Sequence, residues 1–120
     1  MKLNERDIAQ AYVGKAYDNN RLLTVSYANG TDRYISDCYN FKKDQLGLFG
    51  ITPTLLERWG YYGIEFTIYI YVAEGRIGGC KVSKYKNTYC GGHGRPSGYE
   101  LHPTQQELRI FKRVMDYVTE

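Results

Sequence analysis

Apolar positions recur along this chain at two spacings, and the switches between them mark out its elements. Over residues 5 to 17, Ile8, Ala11, Tyr12 and Ala16 fall on one helical stripe. Asn4 stands where a cap is needed, Glu5 and Asp7 suit the positive end of the helix dipole, and Asp18-Asn19-Asn20 stops it. From 21 to 28 the period drops to two. Leu23, Val25 and Tyr27 share one face of a strand, and Leu22, Thr24 and Ser26 share the other. Asn29-Gly30 is a two-residue hairpin signal, and residues 32 to 39 return as the partner strand. Residues 40 to 51, NFKKDQLGLFGI, hold two glycines that argue against a stable helix, so an irregular segment or a short strand is expected there. Thr52-Pro53 opens a short helix with Leu55, Leu56 and Trp59 on its apolar face and Gly60 at its end.

The clearest strand is 63 to 73, GIEFTIYIYVA. Phe66, Ile68, Ile70 and Val72 point one way, and Thr67, Tyr69 and Tyr71 the other. Glu74-Gly75-Arg76 turns the chain, and residues 77 to 86 return with Cys80 and Val82 opposite Lys81, Ser83 and Tyr85. From there to Pro103 the chain reads as a long loop. Thr104-Gln105-Gln106-Glu107 is a capping box that opens a last helix over 104 to 118. Leu108, Phe111, Val114, Met115 and Val118 form its apolar stripe, with Arg109, Lys112, Arg113 and Asp116 mostly outside it. The order α-ββ-α-ββ-α predicts one α+β domain over residues 1 to 120, with two hairpins joined in an antiparallel sheet and helices on one face.

Composition narrows the roles open to such a domain. No apolar run approaches the ~20 residues of a membrane span. The polar start, MKLNERDIAQ, has no apolar core of a signal peptide, so a cytoplasmic location is expected. Three cysteines in a reducing compartment read as free thiols or metal ligands rather than a disulfide framework. A net charge of +3 argues against a DNA mimic and permits nucleic-acid binding. Tyrosine is the outlier, with 13 residues against four Phe and one Trp. A buried phenol needs a hydrogen-bond partner, so many of these rings are expected at the surface, where tyrosine serves binding.

The stretch from Tyr85 to Pro103, YKNTYCGGHGRPSGYELHP, concentrates the candidate chemistry. With Cys80 upstream, Cys90, His93 and His102 supply the donor types of a tetrahedral Cys2His2 zinc site, the one cofactor these residues offer. Their C-x9-C-x2-H-x8-H spacing matches no zinc-finger pattern. Cys90 with His93, oriented by Glu100, has the groups of a thiolate–imidazole pair, and His93, His102 and Glu100 those of a metal-dependent hydrolase. Gly91, Gly92, Gly94 and Gly98 interleave with Lys84, Lys86, His93 and Arg95 and with Tyr85, Tyr89 and Tyr99, a composition suited to a recognition loop. Separately, Tyr12-Val13-Gly14-Lys15-Ala16 with Arg21 resembles the second half of the GIY-YIG nuclease motif. The segment before Tyr12 supplies no first half and reads as helix, so the resemblance carries no function.

The leading expectation is a non-enzymatic binding protein that occludes a surface of a protein or nucleoprotein target. A compact, tyrosine-rich chain without a catalytic signature is similar in style to the inhibitors of host defence carried by phages and plasmids, a likeness that rests on no motif. Its contact residues would be Tyr69, Tyr71 and Tyr85 on the sheet, extended by Tyr89, His93, Arg95 and Tyr99. A direct nucleic-acid-binding module is the alternative. Tyrosines would then stack on bases while Lys81, Lys84, Lys86, Arg95, Arg109, Lys112 and Arg113 meet phosphates. An enzyme built on the Cys/His residues of 80 to 102 is the third.

Overall fold

A computed structural model of the chain describes residues 2–18, 24–27, 45–89 and 96–119. The elements run α1 (Glu5–Tyr12), β1 (Thr24–Tyr27), α2 (Gln45–Leu48), α3 (Pro53–Tyr62), β2 (Ile64–Ala73), β3 (Arg76–Tyr89), β4 (Pro96–Leu101) and α4 (Gln105–Thr119). The four strands form one antiparallel sheet in the order β1-β2-β3-β4. The fold is α+β, with the described helices packed on one face. No helix among the described residues is long and apolar enough to cross a membrane.

The second hairpin forms where the period-two pattern places it. Glu74 and Gly75 both have positive φ, the geometry of a two-residue turn whose twist matches its strands. Arg76 is already paired with Ala73, so it belongs to the strand rather than the turn. Tyr71 lies opposite Gly79 and Val72 opposite Ile77, which leaves Gly78 as an extra residue in β3. This bulge changes the parity of the strand. Ile77, Cys80 and Val82 are all buried although odd and even positions would otherwise face opposite sides.

Several boundaries differ from the pattern. The first helix ends at Tyr12, not at 17. Gly14 turns with a φ of +88°, and residues 14 to 17 run beside the start of β3 instead. Gly14 N–H donates to the Ile77 carbonyl, Ile77 N–H to that of Lys15 and Tyr17 N–H to that of Gly75, each at 2.8 Å. Of the first hairpin, β1 is present and pairs with β2, Val25 lying opposite Ile68. The expected turn at Asn29-Gly30 and return strand at 32 to 39 lie outside the described residues. Within the ambiguous stretch, Gln45–Leu48 is a short helix. Ile51 N–H donates to the Leu46 carbonyl at 2.9 Å and Gly50 N–H to that of Gly47 at 3.1 Å, a Schellman ending with Gly50 at its left-handed position. It delivers Phe49 and Ile51 to the core. Thr52 caps α3 as expected, but the left-handed stop is Gly63 rather than Gly60.

The long loop expected after the hairpin is in part a strand. Residues 96–101 pair with 84–89 of β3. The residues that suggest a loop are the ones this pairing uses. Pro96 sits at the first position of an edge strand, where its missing donor is tolerated. Gly98 lies so close to β3 that an added Cβ would clash with the Lys86 carbonyl oxygen.

Helices and sheet meet at Glu107. The capping box closes, with Glu107 N–H donating to Thr104 Oγ1 at 3.2 Å and Thr104 N–H donating to Glu107 Oε1 at 2.8 Å. The same carboxylate accepts from the Trp59 indole of α3 through Oε2 at 2.6 Å and pairs with Lys84 Nζ of β3 at 2.9 Å through Oε1. Glu107 is 1% exposed. Trp59 stacks on Phe66 at 4.9 Å between centroids, and Phe111, Val114 and Met115 complete the centre of the core.

Two measurements test this packing. Glu107→Leu strands the Lys84 ammonium and the Trp59 indole without their acceptor and should lower the unfolding free energy by about 3 kcal/mol in urea titrations. Replacing Lys84 and Glu107 together by methionine should recover the share of that loss due to the stranded Lys84 charge, the Trp59 indole staying without its acceptor, and a loss below about 1 kcal/mol for Glu107→Leu would show that the layers are held elsewhere. Alkaline pH probes the same core. Burial pushes the Cys80 thiol from 9.0 up to about 11, Glu5 adding to the effect, and the Tyr17 phenol from 10.0 up to about 12, with Asp18 adding. Burial and the Asp116 hydrogen bond raise Tyr12 further still. The folded state holds these protons more tightly than the unfolded chain, so their contribution is whole below pH 9.0 and is lost as pH rises through about 11 and 12. The urea midpoint should therefore fall between about pH 9 and pH 11, less steeply for Cys80→Ala, and a flat midpoint over that range would contradict the burial of these groups.

Candidate functional site

The alternation of β2 and β3 sorts the tyrosines by face. Even residues of β2 and, beyond the bulge, of β3 point to the helices, and odd residues point away from them. Tyr69 and Tyr71 stand on the face opposite the described helices, helix-free among the described residues, 40% and 52% exposed, and no described element lies over them. Lys81, directly opposite Tyr69, holds its ammonium 5.3 Å from that ring's centroid. Tyr85 shares this face and is half-buried. Glu65 lies opposite it on one side and Glu100 on the other.

Tyr99 does not join them. It pairs with Lys86, and Lys86 pairs with the buried Ile64, so the register puts Tyr99 on the helix side of the sheet. Beyond the cover of the helices it is nonetheless exposed. There the Lys86 ammonium stands 5.4 Å from the centroid of Tyr62, whose ring meets that of Tyr61 edge-on at 5.0 Å. Tyr61 is 83% exposed. Sequence reasoning missed this second aromatic patch. Its signal was the Tyr61-Tyr62 pair, which came to lie past the expected helix end at Gly60.

The basic residues are divided in the same way. Lys81 lies on the helix-free face. Lys84 points inward, with its side chain 10% exposed, and its charge is taken up by Glu107. This corrects its assignment as a phosphate contact: position 84 has the parity of Val82, and that side of β3 faces the helices. Arg109, Lys112 and Arg113 are exposed on α4, in the helical layer. Lys112 pairs with Asp116 at 3.3 Å. The Arg113 guanidinium lies over Gly50, where an added Cβ would come within 2.7 Å of it. The sheet tyrosines and the α4 cations therefore do not share one surface.

Of the four zinc candidates, Cys80 and His102 are described. Cys80 is buried on the helix side, its Sγ 3.9 Å from the Ala9 carbonyl oxygen of α1. Leu101 lies opposite Lys84, so His102 stands near Ser83, roughly 10 Å along the strand from Cys80. Among the described residues no three His, Cys, Asp or Glu side chains are grouped so as to hold a metal ion. His102 is exposed and lines a shallow groove of about 460 Å³ with Glu5, Ser83 and Glu100. Glu5 closes the top of that groove by accepting the Val82 N–H at 3.2 Å. The Cys80 thiol, raised by burial to about 11, is itself not an activated nucleophile. Cys90, His93 and Arg95 lie outside the described residues, as does the side chain of Tyr89, whose backbone ends β3.

Comparison with known proteins adds no assignment to this geometry. No family model matches the chain, and no match to it was found among curated proteins or among solved structures.

Proposed function

We propose that this chain is a non-enzymatic binding protein that acts by occluding a surface of a protein target, and that it binds through the helix-free face of its sheet. The observation that carries this reading is the exposure of Tyr69 and Tyr71 side by side on that face, with Lys81 against the first ring. Tyrosine gives a large amphipathic contact for the loss of few rotamers, which is why it is enriched where proteins bind one another. The setting we infer is the cytoplasm, in the manner of the inhibitors of host defence that phages and plasmids carry. The support for that likeness is the tyrosine-rich composition together with the exposed rings of Tyr69 and Tyr71.

Nucleic acid is the second reading, favoured by the lysine–tyrosine pair of residues 81 and 69. Charge weighs against it. Glu65 and Glu100 share the face and would repel phosphates, while the exposed cations of α4 lie in the other layer.

A protein captured by the immobilised chain from nuclease-treated extract is expected to depend on this face. Tyr69→Ser with Tyr71→Ser should weaken its binding by roughly thirtyfold or more, whereas Lys112→Ala on α4 should leave it unchanged. Fluorescence anisotropy with mixed-sequence DNA and RNA is the companion measurement. Tight, salt-sensitive binding lost in the Tyr69/Tyr71 variant would transfer the face to nucleic acid. A captured target indifferent to both tyrosines would remove it from the binding role.

A further inference from the structure

The helix-free face carries more than two exposed rings. Toward its other end, three residues line up across three strands, Glu65 on β2, Tyr85 on β3 and Glu100 on β4. Neighbouring strands are about 4.8 Å apart, so a carboxylate flanks the phenol on each side. The ring itself is held in place. A Cβ on Gly98 would fall 2.6 Å from Tyr85 Cε1 and 2.9 Å from Cζ. The ring therefore lies across β4, on backbone that glycine leaves bare. One side rests on the strand, and the residue is only half-buried, so part of it stays open to solvent. Neither Glu65 nor Glu100 makes an ion pair or a side-chain hydrogen bond with another described residue. The lysine of this face, Lys81, is four residues from Tyr85, about 13 Å along the strand, and is engaged with Tyr69.

We infer that this stripe receives an arginine side chain of a protein partner. A guanidinium is planar and stacks on a phenol ring, and its fork of N–H donors reaches carboxylates at the ring's margins. An aromatic floor with an acidic wall on either side offers both contacts at once. The floor is pre-set by Gly98, so ordering it on binding loses little entropy. A phosphate would meet two negative charges here, and an acidic side chain would meet the same repulsion. A lysine ammonium would gain the charge attraction without the planar stack. The inference rests on the proposed binding role of this face and names the chemistry of what it binds.

The test is a residue-resolved NMR titration of the full ¹⁵N-labelled chain with a blocked Ala-Arg-Ala peptide, alongside matched lysine and glutamate peptides. The arginine probe should shift resonances centred on Glu65, Tyr85 and Glu100, the lysine probe should do so more weakly, and the glutamate probe should leave them unmoved. Glu65→Gln and Glu100→Gln are charge-removing changes, at a half-buried and an exposed position respectively, and the spectrum itself reports that each variant is folded. Each should weaken the arginine response by roughly tenfold. Unmoved resonances at the three positions with about 10 mM probe would overturn the inference, as would an equal response to the glutamate peptide or a response indifferent to both glutamine variants. Shifts confined to Tyr69, Tyr71 and Lys81 would also overturn it while leaving the face a binding surface. That outcome differs from a target indifferent to Tyr69 and Tyr71, which would overturn the broader reading.

Discussion

The carboxylate of Glu107 is the constraint on which the arrangement of layers depends. A buried charge is tolerated only when its lone pairs are taken up by well-placed donors. Here one oxygen takes the Trp59 indole, and the other takes the Thr104 N–H and the Lys84 ammonium. Those donors come from α3, from the cap of α4 and from β3, so satisfying one side chain fixes two helices against one strand. The apolar contacts around it, such as Trp59 on Phe66, supply the larger driving force, but they are less exacting about register. Because all these partners lie on one face of the sheet, the opposite face is left without a described cover.

The second constraint is the edge of β3. This 14-residue strand is longer than any neighbour and presents one flank for which no single strand is the partner. Residues 14 to 17 pair with its start, Glu5 takes the Val82 N–H in the middle, and β4 pairs with its last six residues. An unpaired edge invites association with other chains, and three separate devices share the work of covering this one. The bulge at Gly78 lets the scheme function, since it allows Ile77 and Cys80 to face the same core across an odd number of residues. The groove beside Glu5 and His102 is what remains where two of these devices meet.

Elements that carry their own periodicity were legible in the sequence. The period-two run of β2, the stripe of α4 and the capping box at Thr104 each encode their structure locally, and the helix order with its antiparallel hairpin came from them. What was not legible depends on contacts made elsewhere. β4 reads as loop because Pro96 and Gly98 are poor strand formers in isolation, yet each is suited to an edge against β3. Residues 14 to 17 continue a helical stripe, but Gly14 turns them toward a strand sixty residues away. The Schellman signal in LGLFGI was present, with Gly50 between Leu46 and Ile51, and was outweighed by a general penalty for glycine in helices. Lys84 was read by its charge, when its parity with Val82 already directed it inward.

The tyrosine excess takes on a physical meaning once the rings are sorted by face. Tyr12 and Tyr17 are buried, and the Tyr12 hydroxyl donates to Asp116, so these phenols are core residues with polar ends. Tyr69, Tyr71, Tyr61, Tyr62 and Tyr99 are exposed, and they fall into two patches on opposite faces of the sheet. Each patch holds one lysine against a ring, Lys81 at Tyr69 and Lys86 at Tyr62. The patches differ in their remaining charge, because the helix-free face also carries Glu65 and Glu100. A surface of aromatic rings with both signs of charge is poorly matched to a polyanion, whose charge is uniform along its length. It is well matched to a folded partner, on which charges of either sign sit at fixed points.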